Sequence, residues 1–137
     1  MDLQAEAKRL LGDLYAAFGT GSSSGWQDNL AEDVVVIGTD EAEWLSGREQ
    51  VIPVLQAQML EMRGAGARLE MGEPRIGVAG ATVWAADQPT MRVDGASAVT
   101  MRMTFVATEQ DGRLCIHQLH ASVGVPNEDV VDQTLTV

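Results

Sequence analysis

Two alternating stretches, residues 98–109 and 113–123, face each other across Asp111-Gly112, and no other feature constrains the chain as much. Polar and apolar side chains alternate along both. That is the period of a half-buried strand, and an Asp-Gly step between two such runs is a strong hairpin signal. Residues 68–78 and 82–87 add two strand candidates joined at Ala79-Gly80, and Val93-Asp94-Gly95 supplies the turn before the long pair.

The first half of the chain has a different period. Leu3, Ala7, Leu10, Leu14 and Phe18 recur three and four residues apart, with Leu11 beside them and Asp2 as N-cap. This predicts an amphipathic helix over 2–18. The run 19–25 breaks it as a loop, 26–30 predicts a short helical turn, and 34–37, three valines and an isoleucine, predicts a buried strand. Ser46 and Glu49 fit a capping box, and Val51, Leu55, Met59 and Met62 predict a second helix over 47–63. Gly64 and Gly66 end it, and Pro53 is expected to kink it. Helices followed by a run of strands indicate an α+β domain, with helices on one face of a curved, mostly antiparallel sheet. Residues 1–124 are expected to form one domain, and 125–137 an acidic, loosely docked tail with Glu128, Asp129 and Asp132.

Charge narrows the partners. Nine basic against twenty acidic residues give a net charge of −11 in a chain of 137 residues. That argues against nucleic acid or an anionic membrane as partner, since both need a basic footprint. No apolar run approaches the roughly 18 residues of a membrane span, and the N-terminus lacks a basic-then-apolar signal pattern, so the expected compartment is the cytoplasm. Cys115 stands alone, and no Cys/His spacing suits zinc. His117 and His120, three apart on a strand, are expected on opposite faces, so no metal is expected.

After Asp111-Gly112 the last strand sets Leu114, Ile116, Gln118, His120 and Ser122 at alternate positions. Upstream, a strand, a Gly-containing acidic loop, Trp44, Gly47 and a helix follow one another over 34–51, and 81–84 reads Ala-Thr-Val-Trp. In this order the stretches resemble the SnoaL-like branch of the nuclear transport factor 2-like cone fold, over roughly residues 3–124. Members of that branch often read Trp-x-Ile-x-His-x-His-x-Ser in the last strand. Ile116, His120 and Ser122 match, while Leu114 and Gln118 replace the Trp and the first His. The resemblance implies a cone-shaped α+β barrel with its helices packed in the concave face of the sheet, and a pocket between the two. It implies no cofactor. Relatives include ketosteroid isomerases, polyketide cyclases, small dehydratases and the association domain of calcium/calmodulin-dependent kinase, so function has to be argued from the site.

Taking 110–112 as a three-residue turn sets Arg102 opposite His120 and Thr104 opposite Gln118; a two-residue turn would slip the register by one. One face then gathers Arg102, Thr104, Gln118, His120 and Ser122, and the other Met101, Met103, Phe105, Cys115, Leu119 and Val123. The polar face is expected to line the pocket. Arg102 would hold an anionic or carbonyl group, with Asp87, Asp40 or Glu43 as acids to pair with, and His120 and Asp40 are the acid–base candidates. A structural hydrogen-bond network is the other reading of the same cluster. Tyr15, Trp44 and Trp84 complete the ligand-binding set, the tryptophans reading equally as packing. The apolar face is expected to form a homodimer. Measured against the isomerases, the base position falls at Gly38, with Asp40 two residues away, and the helix-one Tyr position falls at Leu14, with Tyr15 one residue out. Asp40, Glu41 and Glu43 also read as a solvated loop. The expected function is binding or converting a small apolar molecule with a carbonyl or carboxylate, as an isomerase, cyclase or dehydratase if an enzyme. The alternative is a non-catalytic dimerisation or association module with a vestigial pocket.

Overall fold

A computed structural model describes residues 1–20 and 25–137. Its elements in chain order are α1 (Leu3–Thr20), a 3-10 turn (Trp26–Asn29), β1 (Leu30–Ile37), β2 (Trp44–Ser46) and α2 (Arg48–Gly64), then β3 (Arg68–Glu70), β4 (Arg75–Ala79), β5 (Thr82–Asp87), β6 (Thr90–Arg92), β7 (Val99–Gln110), β8 (Arg113–Val123) and α3 (Glu128–Val131). The helix expected over 2–18 continues through Gly19, and residues 21–24 of the expected loop lie outside the described residues.

The sheet runs β2-β1-β8-β7-β5-β4, with β6 pairing both β7 and β3. Every pairing is antiparallel except β1 with β8. The result is a curved, mixed, unclosed sheet with helices packed on it, the α+β cone expected. The two apolar stripes explain the packing. Leu10, Leu11 and Leu14 of α1 and Val51, Leu55 and Met59 of α2 are buried in one core with Phe105, Ile116 and Leu119 of the long hairpin. Each such side chain stabilises by roughly 1.5–3 kcal/mol relative to exposure.

Local departures from expectation have local causes. Gly47, at φ 84°, is the N-cap of α2, and Ser46 makes no side-chain cap; instead the Ser46 N–H donates to Gln50 Oε1 at 2.9 Å. The helix runs on through Pro53, whose side is exposed. The stretch 68–78 divides into β3 and β4 around Gly72 and Pro74, and β3 turns to pair with β6. A proline cannot donate to a strand ladder, which favours a break there.

The long hairpin decides the site. Its turn has two residues, Asp111 at φ 52° and Gly112 at φ 77°, so Gln110 pairs with Arg113. A bulge at His117 then shifts the register, so that Ala107 faces Ile116 but Val106 faces Gln118. Thr104 therefore lies opposite His120, and Arg102 opposite Ser122. Both pairs differ from the expected ones by two residues, an even slip that leaves the polar set on one face. That face, however, is the outer one. Met101, Met103, Phe105 and Leu119 are buried, whereas Arg102, Thr104 and Gln118 are exposed. Turning the polar set inward would desolvate a guanidinium, an amide, an imidazole and two hydroxyls; facing out, they meet water.

Candidate functional site

The inner face of β7 and β8 does not pack completely. Met101, Met103, Leu119, Ala121 and Val123 floor a cavity of about 170 Å³. Leu55, Gln58 and Met62 of α2 and Phe18 of α1 roof it, Leu69 and Met91 wall one side, and Val36 to Thr39 form the other. Four methionines, Met62, Met91, Met101 and Met103, make this lining soft and adaptable. Among the described residues the lining carries no titratable side chain, and its polar side chains are Gln58 and Thr39.

The loop between β1 and β2 closes one rim. Gly38 N–H donates to the Glu43 carbonyl at 2.8 Å, and Glu43 N–H to the Asp40 carbonyl at 2.9 Å. Asp40 Oδ1 accepts the Ala42 N–H at 2.8 Å, so Asp40 shapes the turn and is itself exposed. The Glu43 side chain folds back across Gly38, where any Cβ would collide with its carboxylate. Glu43 Oε1 accepts the Asp40 N–H at 3.1 Å, and Oε2 accepts Gln58 Nε2–H at 3.0 Å. A carboxylate thus ties the β1–β2 loop to Gln58 of the cavity lining.

A second polar pair lies elsewhere in the core. The Tyr15 hydroxyl donates to Asp87 Oδ2 at 2.8 Å, and the Gly72 N–H donates to the same oxygen at 3.2 Å. Both residues are buried, and Asp87 Oδ1 has no partner. Burial first, then the bond to Asp87 and its charge, push the Tyr15 phenol well above its ordinary range.

The residues expected to form the pocket are therefore dispersed. None of His120, Asp40, Arg102, Thr104, Gln118, Ser122, Tyr15, Trp44 or Trp84 lines the cavity. Arg102 and Thr104 do come together, in an open outer trough of about 560 Å³ with Glu73, Arg75 and Gln88. Arg102 makes no ion pair among the described residues; its guanidinium lies against Gly124, Asp87 also lines the trough but its carboxylate is bonded to Tyr15 and Gly72, and Asp40 and Glu43 are engaged in the β1–β2 loop. Gln118 and His120 sit beside Val35 and Ile37 on the opposite edge of the hairpin. Trp84 lies against Gly77 and is 44% exposed, and Trp44, on the edge strand, is 68% exposed. The bulge also overturns the expected separation of the histidines. His117 Nε2 meets Thr108 Oγ1 at 2.8 Å on the outer side, the side of His120.

Gln58 is what the sequence reading missed, and Glu43 was expected only as an acid for Arg102 or as a solvated loop residue. Gln58 falls three residues after Leu55 and four before Met62, so it interrupts the buried stripe of α2 with an amide. A polar residue on an apolar stripe is the signal that could have found it. Glu43 carried no such signal, because its role depends on the loop folding back over Gly38.

The model of the SnoaL-like domain matches residues 7–126, which takes in most of α1, all of α2, the whole sheet and every cavity residue. The chain belongs to the SnoaL-like family. An NTF2-like protein of unknown function from Pseudomonas putida KT2440 superposes with a TM-score of 0.80 at 19% identity, over 98% of this chain and 96% of that one. A ketosteroid isomerase candidate from Shewanella frigidimarina NCIMB 400 gives 0.68 at 17% identity, over 85% and 94%. A candidate calcium/calmodulin-dependent protein kinase II association domain from Xanthomonas campestris gives 0.69 at 23%, over 87% and 86%. These identities speak for a shared fold. Among curated proteins, the cytochrome c biogenesis ATP-binding export protein CcmA of Cereibacter sphaeroides is 26% identical over 105 residues, 77% of this chain. The SnoaL-like chain spans about half the length of that protein, 50%. No helix among the described residues is long and apolar enough to cross a membrane.

Proposed function

We propose that this SnoaL-like protein binds a small, predominantly apolar molecule in the cavity between α2 and the inner face of β7 and β8. One observation carries the reading: the inner face is apolar throughout yet leaves about 170 Å³ unfilled, lined by four methionines. Interiors ordinarily pack without voids of that size, and a preformed apolar concavity with few polar groups is the usual form of a ligand site. A void of about 150 Å³ accommodates benzene, so the ligand is of single-ring size. The carboxylate expected for that ligand rested on Arg102 facing the cavity. With Arg102 outside, the reading keeps the small neutral apolar molecule and drops the anion. Acid–base work by His120 or Asp40 likewise draws no support from their positions, so the reading is one of binding. Nor is ATP binding carried over from the bacterial relative, since the chain's single lysine, Lys8, stands in no phosphate-binding loop.

The test is toluene titrated against protein labelled at its methionine methyl groups. Met62, Met91, Met101 and Met103 should shift together, while Met1, Met59 and Met71 stay still. Ala121→Phe, which fills the floor, should abolish the response. Shifts spread over all seven methionines, or none at saturating toluene, would remove the reading.

A second reading, association of two copies, is favoured by a different observation. The outer side of the sheet exposes Trp84 and Val106 side by side on β5 and β7. The dimer expected from the apolar hairpin face is therefore proposed on the opposite face. Light scattering should then report twice 14.7 kDa, and Val106→Arg should halve the mass. A monomer at high micromolar concentration would end this second reading.

A further inference from the structure

The cavity is closed on one rim by a carboxylate and an amide whose orientations are linked. Gln58 lines the cavity from α2, and its Nε2–H is committed to Glu43 Oε2 at 3.0 Å. A carboxylate accepts and does not donate, so the amide nitrogen must be the end that faces Glu43. Gln58 Oε1 is then the end left over, and it has no hydrogen-bond partner among the described residues. Glu43 in turn is held from two sides. Asp40 N–H donates to Oε1 at 3.1 Å, Gln58 Nε2–H donates to Oε2, and the absence of a Cβ at Gly38 is what makes room for the carboxylate there. About four acceptor positions exist on a carboxylate, and two are used here. The rim is therefore rich in acceptors and carries negative charge, in a chain whose net charge is already −11.

We propose that Gln58, positioned by Glu43, makes the cavity selective for a ring-sized neutral molecule bearing one hydrogen-bond donor, such as a hydroxyl or amine. Resting on the cavity reading above, the assignment adds which chemistry the cavity recognises. An apolar body fills the methionine-lined space, and its donor meets Gln58 Oε1. A carbonyl compound would place an acceptor against an acceptor, and an anion would also face Glu43 with no cation in the lining. Gln58 is the contact; Glu43 acts through it. Deleting Glu43 frees the amide to turn its N–H toward the cavity, so the preference should relax before affinity for the apolar body does.

Phenol, benzaldehyde and toluene share a ring and differ in the group that meets the rim, which makes them the probes. Dissociation constants are measured by calorimetry or by the methionine signals for the wild-type protein, Gln58→Leu and Glu43→Ala. The wild type should prefer phenol to benzaldehyde about ten-fold, the size expected of one net hydrogen bond. Glu43→Ala should bring that ratio close to one with toluene affinity unchanged, and Gln58→Leu should remove it and bind toluene at least as well. A merely structural role for Glu43 would weaken all three probes in proportion and leave the ratio alone, which would overturn the assignment. A wild-type ratio of one with toluene bound would overturn it too, while sparing the cavity reading. If the wild type takes none of the three, the cavity reading itself fails and this inference with it.

Discussion

Tyr15→Phe removes one oxygen and nothing else from the core, and it separates a buried polar pair. Tyr15 is 3% exposed and Asp87 5%. Without the hydroxyl, Asp87 Oδ2 retains the Gly72 N–H at 3.2 Å, and Oδ1 has no partner in either case. A hydrogen bond to a charged group contributes about 1.5–3 kcal/mol, and leaving the buried acceptor short of partners puts the loss in the upper part of that range, about 2–3 kcal/mol. At about 2.1 cal/mol/K per residue, 137 residues give an unfolding entropy near 0.29 kcal/mol/K, so Tm should fall by about 7–10 °C. The same pair has a pH signature. The Tyr15 phenol is raised in the folded chain, by burial first and by Asp87 second. The folded state therefore holds its proton above pH 10, where the unfolded chain releases it. Stability from this pair is complete below the unfolded value of about 10 and is lost as pH rises beyond it, by at most about 1.4 kcal/mol per unit. Urea unfolding from pH 8 to 11.5 should show that extra slope in the wild type and not in Tyr15→Phe. Because Tyr15 is the chain's single tyrosine, phenolate absorbance reads it directly, and it should stay low until the protein unfolds. Phenolate appearing with a midpoint near 10 in folded protein, or a Tm change under 2 °C, would refute the argument.

Gly38→Ala should displace the Glu43 carboxylate and cost about 1 kcal/mol, the low end for overpacking because a flexible side-chain end is what must move. Adding Glu43→Ala should restore Tm by relieving the collision; a double variant weaker than Gly38→Ala would contradict this. Arg102→Ala should change stability by no more than about 0.5 kcal/mol and leave toluene binding intact, since Arg102 is exposed and makes no ion pair among the described residues. Ile116→Ala, fully buried beside the bulge, should cost about 2–5 kcal/mol in urea unfolding, and a loss under 1 kcal/mol would place Ile116 outside the core.

The order of elements was legible because each long element shows its own period. Leu10 and Leu14, or Val51 and Leu55, mark helices, and Met101, Met103 and Phe105 mark a strand. The three-residue strands β2 and β6 escaped, and β3 was merged with β4, for a physical reason: three residues cannot display a period, and their pairing is set by neighbours distant in sequence. Position 46 misled for a related reason. Ser46 has the right chemistry for a cap, but Gly47 alone adopts φ 84° without strain, so the helix begins one residue later and Ser46 joins β2.

Which face of the hairpin turns inward was the decisive question for the site, and alternation cannot answer it. Period two divides side chains into two sets and says nothing about which set meets the helices. The answer comes from what each set meets when the layers close. Met101, Met103, Phe105 and Leu119 complete the apolar stripes of α1 and α2, whereas Arg102, Thr104 and Gln118 would have faced those stripes with only the Gln58 amide, already bonded to Glu43, to meet them. A pocket expectation built on the polar set therefore needed a polar helix face opposite it. The one polar side chain that α2 does turn to the cavity is Gln58, and it already has its partner in Glu43. The bulge at His117 finishes the argument. Without it, Leu114 and Ile116 would share a face with Gln118 and His120; with it, all the large apolar residues of β8 reach the core while the polar ones stay out. One extra residue in one strand thus makes the inner face wholly apolar, and so sets what kind of molecule the unfilled space beneath α2 is able to hold.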